Sequence, residues 1–193
     1  MKKKEFIDSI NACHPDELAE NYLNSNAITA FQDADKYLRF KERVKFSFSG
    51  VEFVSVVGNG NWQYSLNPFK EFKEFDDTSD IDVAVISPEQ YNITWEELRK
   101  IHRSKWYTFS QKVKEKLRRN SENIYSGFIS PIWIPVDRCQ LRYDFRRILN
   151  KLSDKSINYK PVKMLFFKNY VETIDYYKRG FINAKTRIQG NEI

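Results

Sequence analysis

The chain has 193 residues, of which 41% are hydrophobic and 16% aromatic, and it carries a formal net charge of +6. That is enough apolar material for one well-buried α/β domain with a small helical lobe, and too little chain for two independent domains. With a pI of about 9.1 the chain suits an anionic partner, a nucleotide triphosphate or RNA better than an acidic protein surface.

Lys2-Lys3-Lys4 leads into Glu5-Phe6-Ile7-Asp8 rather than an apolar h-region, and no stretch reaches the length of a membrane span, so a cytoplasmic protein with no membrane partner is expected. From Asp16 to Arg43 the apolar positions Leu18, Tyr22, Leu23, Ile28, Phe31, Tyr37 and Leu38 fall at helical spacing behind Pro15, which predicts one long or two short helices. Val54-Ser55-Val56-Val57 reads as a buried strand running into Gly58-Asn59-Gly60-Asn61-Trp62. Glycines at that position let the backbone turn sharply and bring N–H groups close to a phosphate.

Ser79-Asp80-Ile81-Asp82-Val83-Ala84-Val85-Ile86 places two carboxylates one residue apart at the mouth of a β-branched run. Side chains alternate along a strand, so Asp80 and Asp82 face the same side. Like charges held that close repel, and a hard divalent cation between them is the usual remedy. Ser87-Pro88 then marks a stop, and Thr94-Trp95-Glu96-Glu97 predicts a helix start followed by a helix through Leu98, Ile101 and His102 and another over Val113 to Arg119. Ile124 to Ile129 is predicted as a third strand, Ser130 to Pro135 as an extended edge or loop, and Gln140 to Leu152 as a helix. Val162 to Phe167 is β-prone and short, and a final helix is expected from Val171 to about Ile188 before Gly190. Helices are expected mainly on one face of a mixed sheet whose core spans about 44–170, with helical segments at either end of a single 1–193 domain.

Strand, glycine turn, spacer and Asp-hydrophobic-Asp is an order that resembles the nucleotidyltransferase superfamily related to DNA polymerase β, over roughly residues 50–87. The resemblance is specific in Ser79-Asp80-Ile81-Asp82; at the turn Asn59 stands where Ser or Gly is usual, and the spacer containing Trp62 to Asp77 is longer than usual. It implies an α/β (α+β) nucleotidyltransferase fold of the small, stand-alone prokaryotic type. It further implies a transferase moving a nucleoside monophosphate from a triphosphate to a protein, RNA or small-molecule acceptor, in a toxin–antitoxin, antibiotic-modifying or antiphage-defence context. On that reading Asp80 and Asp82 hold Mg2+ (or Mn2+), Gly58, Asn59, Gly60, Asn61 and Ser79 meet the nucleotide's phosphates, and a third acid on a later strand completes the catalytic set. The predicted third strand has no carboxylate, and of the nearest, Asp137 is preferred to Asp144 because Asp144 falls in a predicted helix. The missing obvious third acid favours an alternative, a catalytically inactive module of the same fold that binds nucleotide, RNA or a protein partner.

Other chemistry-bearing residues have plainer readings. Arg99, Lys100, Arg103, Lys105, Lys112, Lys114, Lys116, Arg118 and Arg119 form an RNA or triphosphate track or a solvated helical face. Trp95, Trp106, Tyr107 and Trp133 stack bases or pack under the sheet. His102, four residues before Trp106, reads as a packed helix-face histidine. Cys13 and Cys139, with only His14 and His102, make no zinc set and are expected to be free thiols.

Overall fold

The computed structural model describes residues 2–31, 33–67, 70–136 and 139–190. Three helices, α1 (Lys3–Ala12), α2 (Pro15–Asn24) and α3 (Ala34–Ser47), precede strand β1 (Phe53–Val57), where one long or two short were expected. Pro15 sits in the first turn of α2, where its missing N–H costs nothing, and the Asp33 carboxylate caps α3 by accepting from the Lys36 N–H at 2.6 Å. One helical turn, α4 (Asn59–Trp62), follows β1 directly.

Strand β2 (Ile81–Ile86) runs antiparallel to β1, and β4 (Val162–Phe167) lies parallel beside it, giving the order β1-β2-β4-β3. The sheet is therefore mixed, as expected. Its fourth member, β3 (Phe128–Ile129), is much shorter than the strand predicted over Ile124 to Ile129, because α6 (Gln111–Tyr125) continues through Tyr125. Pro131–Trp133 forms a 3-10 turn. Helix α5 (Pro88–Lys105) begins at Pro88, not at Thr94: the Ser87 hydroxyl that reads as a stop accepts from the Gln90 N–H and caps a new helix. Helices α7 (Gln140–Leu152) and α8 (Tyr170–Gln189) stand where the sequence places them, α8 capped by Asn169.

Helices cover both faces of the sheet, contrary to the expectation of one, because both alternating sets of strand residues are apolar. On one face Val54, Val56, Val83, Val85, Met164 and Phe166 pack against α3, α5 and α7 through Phe40, Leu98 and Phe145. On the other, Val57, Ala84, Ile86 and Phe167 pack against α1, α2 and α8 through Phe6, Tyr22 and Phe181. Most of the aromatic excess is core, as expected, although Phe46, Tyr107 and Tyr125 stand almost fully exposed. Both cysteines are free thiols. Among the described residues no helix is long and apolar enough to cross a membrane.

The junction of α2, β1 and α4 is tied by a fully buried asparagine. Asn61 Nδ2 donates to the Tyr22 carbonyl at 2.8 Å and to the Val56 carbonyl at 2.7 Å. Tyr22 lies in the last turn of α2, whose carbonyls have no helical partner, so the asparagine satisfies an end that would otherwise be orphaned. Substituting Asn61→Ala strands buried carbonyls, and we expect a loss of about 1–3 kcal/mol in urea denaturation, with the slope of the transition unchanged.

Candidate functional site: a carboxylate pair facing a lysine

Asp80 and Asp82 sit where the β-branched run begins, Asp82 on β2 and Asp80 just before it. The ladder sets Val57 of β1, Asp82 of β2 and Lys163 of β4 side by side in one row. Odd-numbered residues of β2 point into the α3–α5–α7 core, so Asp82 faces the other side, toward α2 and α8. Lys163 reaches across and forms an ion pair with Asp80. A lysine therefore lies on the strand adjoining the carboxylate pair, in the position directly opposite Asp82.

These neighbours shift one another's protonation. Burial pushes the Asp82 carboxyl up to about 6, and the negative charge of Asp80 adds to the rise, while Lys163 and Lys70 oppose it. The hydrogen bond to Asp80 holds the Lys163 ammonium above its ordinary value. Tyr22, Tyr176 and Tyr177 are all raised, chiefly by burial, with Asp82 contributing in each case.

A cleft of about 540 Å³ opens in front of this row. Lys70, Lys163 and Arg179 bring positive charge to it, Tyr22, Tyr176 and Tyr177 form an aromatic wall, and Asp82 lies at its base. Gly58 is also part of the wall. Its φ of +71° suits glycine, its carbonyl accepts from the Tyr22 hydroxyl at 3.0 Å, and a Cβ there would lie 2.9 Å from an Asp82 carboxylate oxygen. The glycine thus gives the backbone its bend and leaves Asp82 its room.

The other residues singled out in the sequence are used more locally. Asn59 donates from its amide to the Ser79 hydroxyl at 3.2 Å and to the Glu74 carbonyl at 3.3 Å. Ser79 is buried; its hydroxyl accepts from the Asp76 N–H and donates to the Asp76 carboxylate, both at 3.0 Å. Three side-chain hydrogen bonds, from Thr78, Lys73 and Ser79, hold the Asp76 carboxyl well below its usual range. Gly60 and Asn61 give their carbonyls to the Ala30 and Thr29 N–H groups. The Asn61 side chain faces inward, and Gly60 is buried. Asp137, preferred as the third acid, lies outside the described residues. Asp144 is on α7, across the sheet from Asp82, and pairs with Gln140 and Arg147.

No protein-family model, curated protein or solved structure matches the chain significantly. Its chemistry therefore rests on this geometry.

Two carboxylates on one strand face are suitable oxygen ligands for a hard cation, but the opposite position carries an ammonium. Lys163 already supplies Asp80 with a positive charge, and among the described residues no cluster of three His, Cys, Asp or Glu side chains is placed to hold a metal. Among the described residues the donor set is two carboxylates with an ammonium paired to one of them. Lys163 is the member of this row that sequence reading missed; its only trace in the sequence is a charged side chain in an otherwise apolar strand.

Because the folded Asp82 carboxyl titrates near 6 and an ordinary one near 3.8, the native state binds a proton that the unfolded chain has released between those values. Stability from this residue is accordingly full below about pH 4 and falls as pH rises through 6. Asp82→Asn is expected to stabilise the protein by about 1–3 kcal/mol at pH 7.5 and to have little effect at pH 4, read from thermal melts at both values.

Proposed function

We propose that the chain is a nucleotidyltransferase-like module that binds the phosphates of a nucleotide in the cleft before β2 and β4 and does not transfer the nucleotide. The observation that carries this reading is Lys163, placed opposite Asp82 and paired with Asp80, where its ammonium supplies the positive charge that a metal ion would otherwise bring to the pair. An ammonium has three donors, so Lys163 can hold Asp80 and still meet a phosphate oxygen, and its side chain is 67% exposed. Lys70 and Arg179 add charge along the same wall, and Tyr176 lines it beside them. Strand, glycine turn and Asp-x-Asp supply the likeness to the superfamily.

A second reading, magnesium-dependent transfer of a nucleoside monophosphate to a protein, RNA or small-molecule acceptor, is favoured by one observation. The repulsion between Asp80 and Asp82 is incompletely relieved, since Asp82 remains raised despite Lys163. A divalent cation, had it displaced the lysine, would relieve the rest.

Calorimetric titration with ATP, GTP, CTP and UTP, in magnesium and in EDTA, separates the two. We expect at least one nucleotide to bind in EDTA, with affinity reduced tenfold or more in Lys163→Ala, and we expect Lys163→Asp to make binding magnesium-dependent. Binding by the wild type that requires magnesium and tightens in Lys163→Ala would instead establish the transferase reading and justify a search for labelled acceptors.

A further inference from the structure

Helices α5 and α6 form an antiparallel pair joined by a short turn, and between them lies a second cavity of about 310 Å³ that shares no residue with the cleft. Trp95, Leu98, Leu117 and Ile124 give it apolar walls, and exposed Arg99 and Arg103 also line it. The Arg99 guanidinium lies 5.5 Å from the centre of the Trp95 ring. His102 and Ser121 complete the lining, and of its polar residues only Asn120 is buried. Asn120 is only 8% exposed, and its Nδ2 has no hydrogen-bond partner. A buried amide donor left unpaired is costly, and an apolar neighbourhood offers it nothing to bond.

What would satisfy this cavity is a flat, largely apolar ring with an acceptor on its edge, attached to an anion. A nucleobase on a phosphate backbone has each of those properties. On α6, Lys112, Lys116, Arg119 and Asn120 fall at i, i+4, i+7 and i+8, one face of the helix, so a line of exposed cations leads to the unpaired amide. Nearby Trp106 is braced by Lys114 and Arg118, each 5.6 Å from its ring centre, and by His102 at 4.5 Å between rings. Of the acids on these helices, Glu97 pairs with Lys100 and Glu115 accepts from Gln111, while Glu96 and Glu122 are exposed, so cations outnumber acids along the pair.

We propose that the α5–α6 pair binds single-stranded nucleic acid, seating one base against Trp95 with its edge on Asn120 and its flanking phosphates on Arg99, Arg103 and the α6 cations. This site is separate from the cleft and does not depend on the function assigned there.

The test is fluorescence anisotropy with labelled 12-nucleotide oligo(rA), oligo(rU), oligo(dA) and oligo(dT) at 50 and 200 mM salt, alongside quenching of tryptophan emission. At least one probe should bind and quench, and comparison of the ribose and deoxyribose probes identifies which nucleic acid is preferred. Asn120→Leu should weaken the best probe fivefold or more while melting at the same or a higher temperature, since it removes an unpaired donor from a fold it does not disturb. Lys116→Ala with Arg119→Ala should weaken all bound probes alike and lower the salt dependence. Lys163→Ala should leave probe binding intact. The proposal is overturned if no probe binds, if Asn120→Leu binds as well as the wild type, or if Lys163→Ala abolishes binding and so places the oligonucleotide in the cleft.

Discussion

Pairing of β2 with β4 brings Lys163 level with Asp82, and the chemistry of the cleft follows from that register. Two carboxylates at the end of a buried strand repel one another and resist desolvation, so such a pair persists only with a cation close by. Here the chain supplies its own. A shift of the ladder by one residue would turn Lys163 toward the α3–α5–α7 core and bring an apolar neighbour opposite Asp82. The apolar residues at 162, 164 and 166, all drawn into that core, forbid such a slip. Packing on one side of the sheet thereby fixes the electrostatics of the other.

Around that row the architecture serves mainly to close the cleft. Helices α2 and α8, far apart in sequence, meet over the sheet through Tyr22, Tyr177 and Phe181, whose rings lie 5.4 and 5.6 Å from Tyr22. The same Tyr22 holds the Gly58 carbonyl, so the aromatic wall and the glycine bend are one assembly. The long spacer is anchored separately. Lys160, buried at 8% exposure, donates to the Asp76 carbonyl at 2.7 Å and sits over the Phe75 ring, fixing the turn that delivers Asp80.

The strands β1, β2 and β4 and the helices α7 and α8 are legible from composition and spacing, since each is a bounded run with its own cap or breaker. Asp80 and Asp82 are legible for the same reason: alternation alone places them together. Lys163 is not, because its role depends on which strand β4 joins, and parallel pairing leaves no local mark in the sequence. Ser87-Pro88 shows how one pair of residues serves opposite purposes, ending a strand and starting a helix without an intervening loop. Asn61 and Ser79 look like ligands for phosphate because both are polar and lie near a turn; burial turns them inward to backbone and neighbouring side chains. Asn120 had no sequence signal beyond its place one turn after Lys116.

The central parallel pair joins segments about eighty residues apart. In a chain made from its N-terminus β2 can pair with β1 at once, but its other edge, with apolar side chains on both faces, has no partner until α5, α6 and α7 have followed and β4 emerges. Contacts of such long sequence separation are slow to close. The nascent protein consequently passes through a stage in which its most aggregation-prone edge is exposed, and the order of its elements gives chaperones that bind apolar strands a long interval in which to act.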